Sequence, residues 1–248
     1  VGVVPSEYVD QPYVYIDTDQ WERTPATGVR FFADSTTTHR NVTVELNDDG
    51  TARVEVRVTH TGESAYSERI TLDDLPQSEL ETSIKKELVP SASEATDVVV
   101  GVDNLEDPTK PLIVRATFTI PDAVTRTPSE IIFQTAGFLS PASEGNSVTD
   151  TTQRLYPIII PSDYRYQRDV EIRYPASWNL QTSVGSAEVL ATLGSLERTV
   201  RSTSGSLVMN FSSRLRAGTY PKDRAQDLRK VLADAGAYAI PTLVFTTN

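Results

Sequence analysis

Cysteine is absent from this 248-residue chain. That removes disulfide frameworks, thiolate metal centres and a cysteine nucleophile together. Two histidines, His39 and His60, are too few for a histidine-rich metal site. Lysine and arginine number 23 against 34 acids, a formal charge of −11. Nucleic-acid backbones and anionic membrane surfaces demand clustered basic residues, so neither is expected as the principal partner. No run reaches the roughly 18–20 apolar residues that a membrane-spanning helix needs, and direct membrane insertion is not expected. No signal-peptide pattern opens the chain, and Val1–Trp21 reads as mid-protein sequence, which suggests a fragment or a processed chain. Glycine is sparse, at 12 residues, and 38% of the chain is apolar. A globular protein fits that composition better than a low-complexity one.

What is present is alternation. Val42, Val44 and Leu46 alternate with polar residues, Asn47-Asp48-Asp49-Gly50 supplies turn chemistry, and Ala52, Val54, Val56 and Val58 alternate with Arg53, Glu55 and Arg57. Asp-Gly between two period-2 runs predicts a hairpin with one face buried. Tyr66–Leu72 is expected to extend the same sheet beyond Thr61-Gly62. Ser78 with Glu81 fits the capping-box spacing, and Leu80, Ile84 and Leu88 form a helical stripe that Pro90 ends, predicting a helix over 78–89. Val98–Val102, Leu112–Ile120 and the short Ile131-Ile132-Phe133 read as further strands.

Between Arg154 and Leu180 stand a proline-bounded run (Pro157–Pro161), an aromatic turn with Tyr164 and Tyr166, and an alternating strand (Val170, Ile172, Tyr174) closed by Pro175 and Trp178. Leu196–Ser202 and Ser206–Leu215 flank a Ser204-Gly205 turn. Pro221, then Ala225, Leu228, Val231, Leu232 and Ala235, predict a helix over 221–235 that Gly236 stops, before a last strand at Ile240–Phe245. The expected fold is mainly β: two consecutive antiparallel β-sandwich-like modules, each with one packed α-helix. Residues 1–28 form an entry arm with one short strand around Tyr13–Ile16. Residues 29–139 are the first module, 140–152 a linker and 153–248 the second module.

The order of these features resembles the region following the catalytic domain of bacterial envelope transglutaminase-like proteins, whose flanking domains have no assigned function. The matching residues are Gly2-Val3-Val4-Pro5, Trp21-Glu22-Arg23-Thr24-Pro25, the Asp49-Gly50 hairpin leading to Thr61-Gly62, and the Leu75–Leu88 helix. Tyr156–Ile160, Asp169–Trp178 and the Pro221-started helix continue the match. The resemblance implies a β-sandwich tail of a periplasmic or extracellular protein. Its papain-like cysteine would lie upstream, and this cysteine-free chain cannot supply that nucleophile.

Other chemistry is weighed residue by residue. A serine hydrolase would need a converging Ser, His and Asp, yet no Gly-x-Ser-x-Gly elbow occurs, and His39 and His60 sit in a Thr-rich connection and at a strand end. Calcium is suggested by Asp103, Asn104, Glu106 and Asp107, but the terminal bidentate glutamate of a twelve-residue loop is missing. Trp21, Tyr164, Tyr166 and Trp178 are candidate ligand or interface aromatics, set against ordinary core packing. No catalytic residue, cofactor or metal is therefore expected. The expected function is a non-catalytic structural or interaction module, its partner a protein or an upstream domain of the same polypeptide. The alternatives are a carbohydrate- or peptide-binding module, and a self-associating surface or filament subunit.

Overall fold

Strand alternation sets the architecture. The computed structural model describes residues 13–16, 23–26, 36–89, 95–135, 157–160, 163–233 and 242–247. Its elements run β1 (Tyr13–Ile16), β2 (Arg23–Ala26), β3 (Thr36–Leu46), β4 (Ala52–Thr61), α1 (Gly62–Asp73), α2 (Gln77–Leu88), β5 (Thr96–Asp103), β6 (Leu112–Ile120), β7 (Val124–Arg126) and β8 (Ile131–Phe133). There follow β9 (Ile158–Ile160), β10 (Tyr164–Arg173), β11 (Trp178–Leu180), β12 (Ala187–Ala191), β13 (Gly194–Thr203), β14 (Ser206–Leu215), β15 (Gly218–Tyr220), α3 (Ala225–Ala233) and β16 (Leu243–Thr247). The fold is mainly β and sandwich-like: an eight-stranded sheet in the order β12-β13-β14-β10-β3-β4-β6-β5 and a four-stranded sheet β11-β16-β8-β7. Two small pairs, β1-β2 and β15-β9, complete it.

The two β-rich stretches meet in one continuous sheet. β10 lies parallel to β3, with Val170 beside Val42 and Ile172 beside Val44. This pair departs from the all-antiparallel expectation. A parallel neighbour requires a long crossover, which everything between β3 and β10 supplies. Burial explains why the pairing holds: Val42, Val44, Val54, Val56, Val170 and Ile172 are each at most 3% exposed. Each contributes about 1.5–3 kcal/mol on leaving water, far more than strand direction costs. The proposed boundary at 140–152 lies outside the described residues.

Opposite these valines stands the four-stranded sheet. Tyr174, directly after β10, meets the Phe245 ring at 4.9 Å, and Trp178 meets it at 5.5 Å. Phe133, Phe245 and Trp178 belong to the same buried cluster as the valines. A second, smaller cluster joins Ile158 and Leu193 to Ala225 and Leu228 of α3.

Several expectations are corrected. Residues 66–72 do not extend the sheet; they lie in α1. Gly62, at φ +61°, turns the chain out of β4, a conformation open to glycine. The segment is rich in good helix formers, and Ala65 and Leu72, two turns apart, are buried against the sheet. The first half therefore carries two helices rather than one. α2 begins at Gln77 after Pro76, and no side-chain cap bond forms, so the Ser78–Glu81 capping box does not operate. Ser78 instead lies inside the first turn, where its carbonyl accepts from Thr82. Tyr164 and Tyr166 are not in a turn: pairing with β3 and β14 on either side draws them into β10. The predicted 221–235 helix resolves into a 3₁₀ turn, Lys222–Arg224, followed by α3. The last strand is described over Leu243–Thr247, within reach of the expected run, whose first residues, Ile240 and Pro241, lie outside the described residues.

Gly194 opens β13 where β14 crowds it. A Cβ there would lie 2.0 Å from the Arg214 carbonyl oxygen, backbone that cannot step aside. Gly194→Ala is expected to lower the unfolding free energy by about 2–3 kcal/mol in urea titrations, the upper part of the overpacking range. Gly185→Ala, with nothing within 4 Å of the new methyl, is expected to leave stability within about 0.5 kcal/mol.

Candidate functional site

Strand register sorts the large sheet's side chains into rows. Val42, Val44, Leu46, Val54, Val56, Val170 and Ile172 mark the inner face. Continuing the same phase toward the start of β3 and β10 brings polar residues onto that face. One row runs Leu196, Ser213, Tyr166, Thr38, His60 and Leu112; the next runs Arg198, Phe211, Arg168, Arg40, Val58 and Val114. The inner face is thus apolar over most of its length and polar at one end.

Arg168 is 2% exposed, with its guanidinium 5.3 Å over the Phe211 ring. Burial pulls its pKa down to about 10, and the neighbouring Arg40 charge pushes the same way while Tyr166 opposes it. It remains a cation at neutral pH. Arg40, directly beside it on β3, is half-buried. Two guanidinium groups therefore share one row on adjacent strands. Arg198 shares it from β13 and donates its Nε–H to the Gly185 carbonyl at 2.9 Å.

Next to them lies a hydroxyl–imidazole cluster. The Ser64 Oγ of α1 is 2.7 Å from His60 Nδ1 and 2.7 Å from Thr38 Oγ1, which is itself 3.4 Å from the same ring nitrogen. Among the described residues, His60 Nε2 and Thr36 Oγ1 are buried with no hydrogen-bond partner. Burial lowers the His60 pKa to about 4, so the ring is neutral at pH 7. A serine–histidine contact invites comparison with a hydrolytic dyad. Here the serine is on Nδ1, and among the described residues no carboxylate meets Nε2 to stabilise an imidazolium. The arrangement pins the first turn of α1 to β3 and β4.

The opposite face is open and charged. His39 Nε2 lies 2.8 Å from Asp169 Oδ2, and Asn210 Nδ2 donates to Asp169 Oδ1 at 2.6 Å, one polar chain across β3, β10 and β14. Arg57 and Arg115 stand opposite each other on β4 and β6, with Arg115 paired to Asp103 at 2.9 Å.

Of the four sequence-nominated aromatics, Trp21 lies outside the described residues. Tyr164 and Tyr166 sit on the inner face at the start of β10. Trp178 lies beyond the far end of that strand, 3% exposed, donating Nε1–H to Asp48 Oδ1 at 3.2 Å with Arg126 over its ring. Tyr166 and Tyr174 are separated by about 26 Å of extended chain, so the structure does not bring Trp178 to the two tyrosines. The Asp103–Asp107 loop closes on an internal cation instead of gathering carboxylates. Arg69 donates to the carbonyls of Asn104, Asp107 and Lys110, at 2.6–3.2 Å from Nη2. The Asp107 carboxylate accepts from Thr109 and pairs with Lys110 at 2.9 Å, bonds that lower its pKa to about 2. Among the described residues no group of three acids or histidines stands where it could hold a metal.

Sequence reasoning missed Arg40, Arg168 and Ser64. A signal existed for the arginines: both fall on the inward phase of strands whose valines had already been assigned to the core. Ser64 carried no such signal, because its segment was read as a strand.

Residues 130–245 match the model of a family described as a domain of unknown function with a solved structure, DUF3858. The matched stretch opens one residue before β8 and ends in β16, and these two strands pair with each other. No curated protein matches the chain. Among solved structures, that of a candidate protease from Parabacteroides distasonis is 17% identical with a TM-score of 0.36; the likeness covers 48% of this chain and 24% of that one. The crystal structure of baculovirus P35 is 7% identical with a TM-score of 0.18, covering 87% of this chain and 98% of that one. None of these names a transglutaminase-like protein, an envelope location or a cell-surface role.

Proposed function

We propose that the chain is a non-catalytic structural or interaction module, carried by a bacterial envelope or cell-surface protein as the tail of a transglutaminase-like polypeptide. The observation that carries the non-catalytic part is the use made of His60. Its ring is buried and neutral, its Nδ1 is spent on holding α1, and no acid among the described residues faces its Nε2. A general base must accept a proton in the transition state, and burial opposes that step here. The match of residues 130–245 to a domain of unknown function agrees with the flanking-domain part of the resemblance. The transglutaminase-like context and the envelope location rest on the residue pattern alone.

The outer face of the large sheet is the surface such a module offers to a protein partner or to an upstream domain. It carries Arg53, Arg57 and Arg115 beside Glu55, Asp169 and Glu171, both signs on one flat array. Mixed charge of this kind selects partners and register more than it adds affinity. The test is an activity panel on the purified chain: ester and amide hydrolysis, and glutamine–amine crosslinking, each run beside Ser64→Ala. No turnover above buffer is expected from either protein. Turnover by the parent that disappears in Ser64→Ala would establish a hydrolytic role for the pair and end this reading.

A further inference from the structure

We propose that β12, the outermost strand of the large sheet, pairs with β12 of a second copy of this chain, antiparallel about a two-fold axis, so that the two sheets run into one. The first observation is where β12 stands. It begins the strand order of the large sheet, bonded to β13 on one side, and among the described residues no strand lies on its other side. A strand in that position presents a row of backbone N–H and C=O groups that can template another strand. The second observation is a contrast with the opposite edge. β5 is interrupted by a register shift between Thr96 and Val99, and Asp97 within it has φ +53°. Irregularity of that kind turns an edge away from pairing. β12 keeps an unshifted register with β13 over all of Ala187–Ala191, and it carries no proline, no lysine and no bulge.

The third observation is what β12 shows to water. Val189 lies beside Leu196 on the inner face, which leaves Leu190 beside Ser195 on the outer face, 72% exposed. The sequence Ala187-Glu188-Val189-Leu190-Ala191 fits a copy of itself. An axis perpendicular to the sheet keeps outward residues opposite outward ones. The register that pairs all five residues is then the one centred on Val189. Ala187 of each copy meets Ala191 of the other, and Glu188 of each meets Leu190 of the other. No like charges stand directly opposite, and the aliphatic stem of a glutamate covers each leucine. Such a contact is isologous and closes at two copies, unlike a filament. Five residue pairs make a small interface, so the dimer is weak and forms at high concentration. It does not depend on the non-catalytic reading, which concerns His60.

Sedimentation equilibrium of the full chain tests this. Between about 10 μM and about 1 mM, the average mass is expected to rise from 27.3 kDa toward twice that value. Leu190→Glu changes a side chain that water already surrounds, and sets carboxylates opposite each other at both symmetric positions. It is expected to weaken association by about tenfold or more. Adding Glu188→Lys to Leu190→Glu sets opposite charges across the same two positions and is expected to restore association. Val99→Glu, on the interrupted edge, is expected to leave it unchanged. A mass that stays at 27.3 kDa throughout overturns the proposal. So does growth past twice that mass, association that survives Leu190→Glu, or failure of the charge swap to restore it.

Discussion

Phe245→Ala is expected to lower the unfolding free energy by about 4 kcal/mol, the ordinary cost of removing a fully buried aromatic side chain. The residue is 0% exposed and lies on β16, the strand paired with both β11 and β8. Its ring is tilted against Tyr174 and Trp178, at 52° and 56°, contacts that add to the area buried. Those two partners follow β10 closely, so the truncation opens a cavity where the small sheet joins the large one. Urea titration followed by tryptophan fluorescence reads the effect, with the slope unchanged if both states keep their compactness. A loss below about 1 kcal/mol would mean that Trp178 and Phe133 collapse into the space, and that Phe245 does not hold the sheets together.

Acid is expected to weaken the protein through His60 before its carboxylates respond. A histidine titrates near 6.5 when unfolded, and burial lowers the folded value to about 4. The folded state therefore binds this proton less readily than the unfolded chain does. Its contribution is complete above pH 6.5 and is lost as pH falls from 6.5 to 4. The shift corresponds to about 3 kcal/mol, of which about 2–3 kcal/mol should be gone by pH 4.5. Asp49, Asp107, Asp163 and Glu171 are held below their usual range by hydrogen bonds from Thr51, Thr109, Arg214 and Arg173. Folding favours their charged forms, so their contribution is present above the ordinary carboxylate range and fades only at lower pH. His60→Gln carries no titrating group, and its urea midpoint is expected to change much less between pH 7 and pH 4.5 than that of the parent. Parallel pH profiles for the two proteins would show that His60 does not set the acid response.

The same imidazole illustrates how far the sequence could be read. His60 was visible as a strand-end residue four positions before Ser64. Its partnership with Ser64 depends on the chain turning into a helix at Gly62, because only a helix brings the serine back over β4. Thr38, the third member, arrives through hairpin register, with Thr38 opposite His60. That register follows from the valine alternation and the Asp49-Gly50 turn. The arginines divide in the same way. Their inward phase is written in the alternation of β3 and β10, but their adjacency is not, since it requires two strands more than a hundred residues apart to lie parallel.

Local pattern alone settled that this is a mainly β chain, where its valine strands lie, that the 78–89 and 221–235 regions contain helices, and that no cysteine chemistry occurs in it. These follow from side-chain period and composition, which neighbouring residues fix among themselves. Tertiary structure alone decided that β10 docks beside β3, that Trp178 packs on Phe245 rather than beside Tyr164, and that Arg40 and Arg168 share a buried row. Such pairings depend on which apolar faces best exclude water together, a comparison among distant segments that no local window contains.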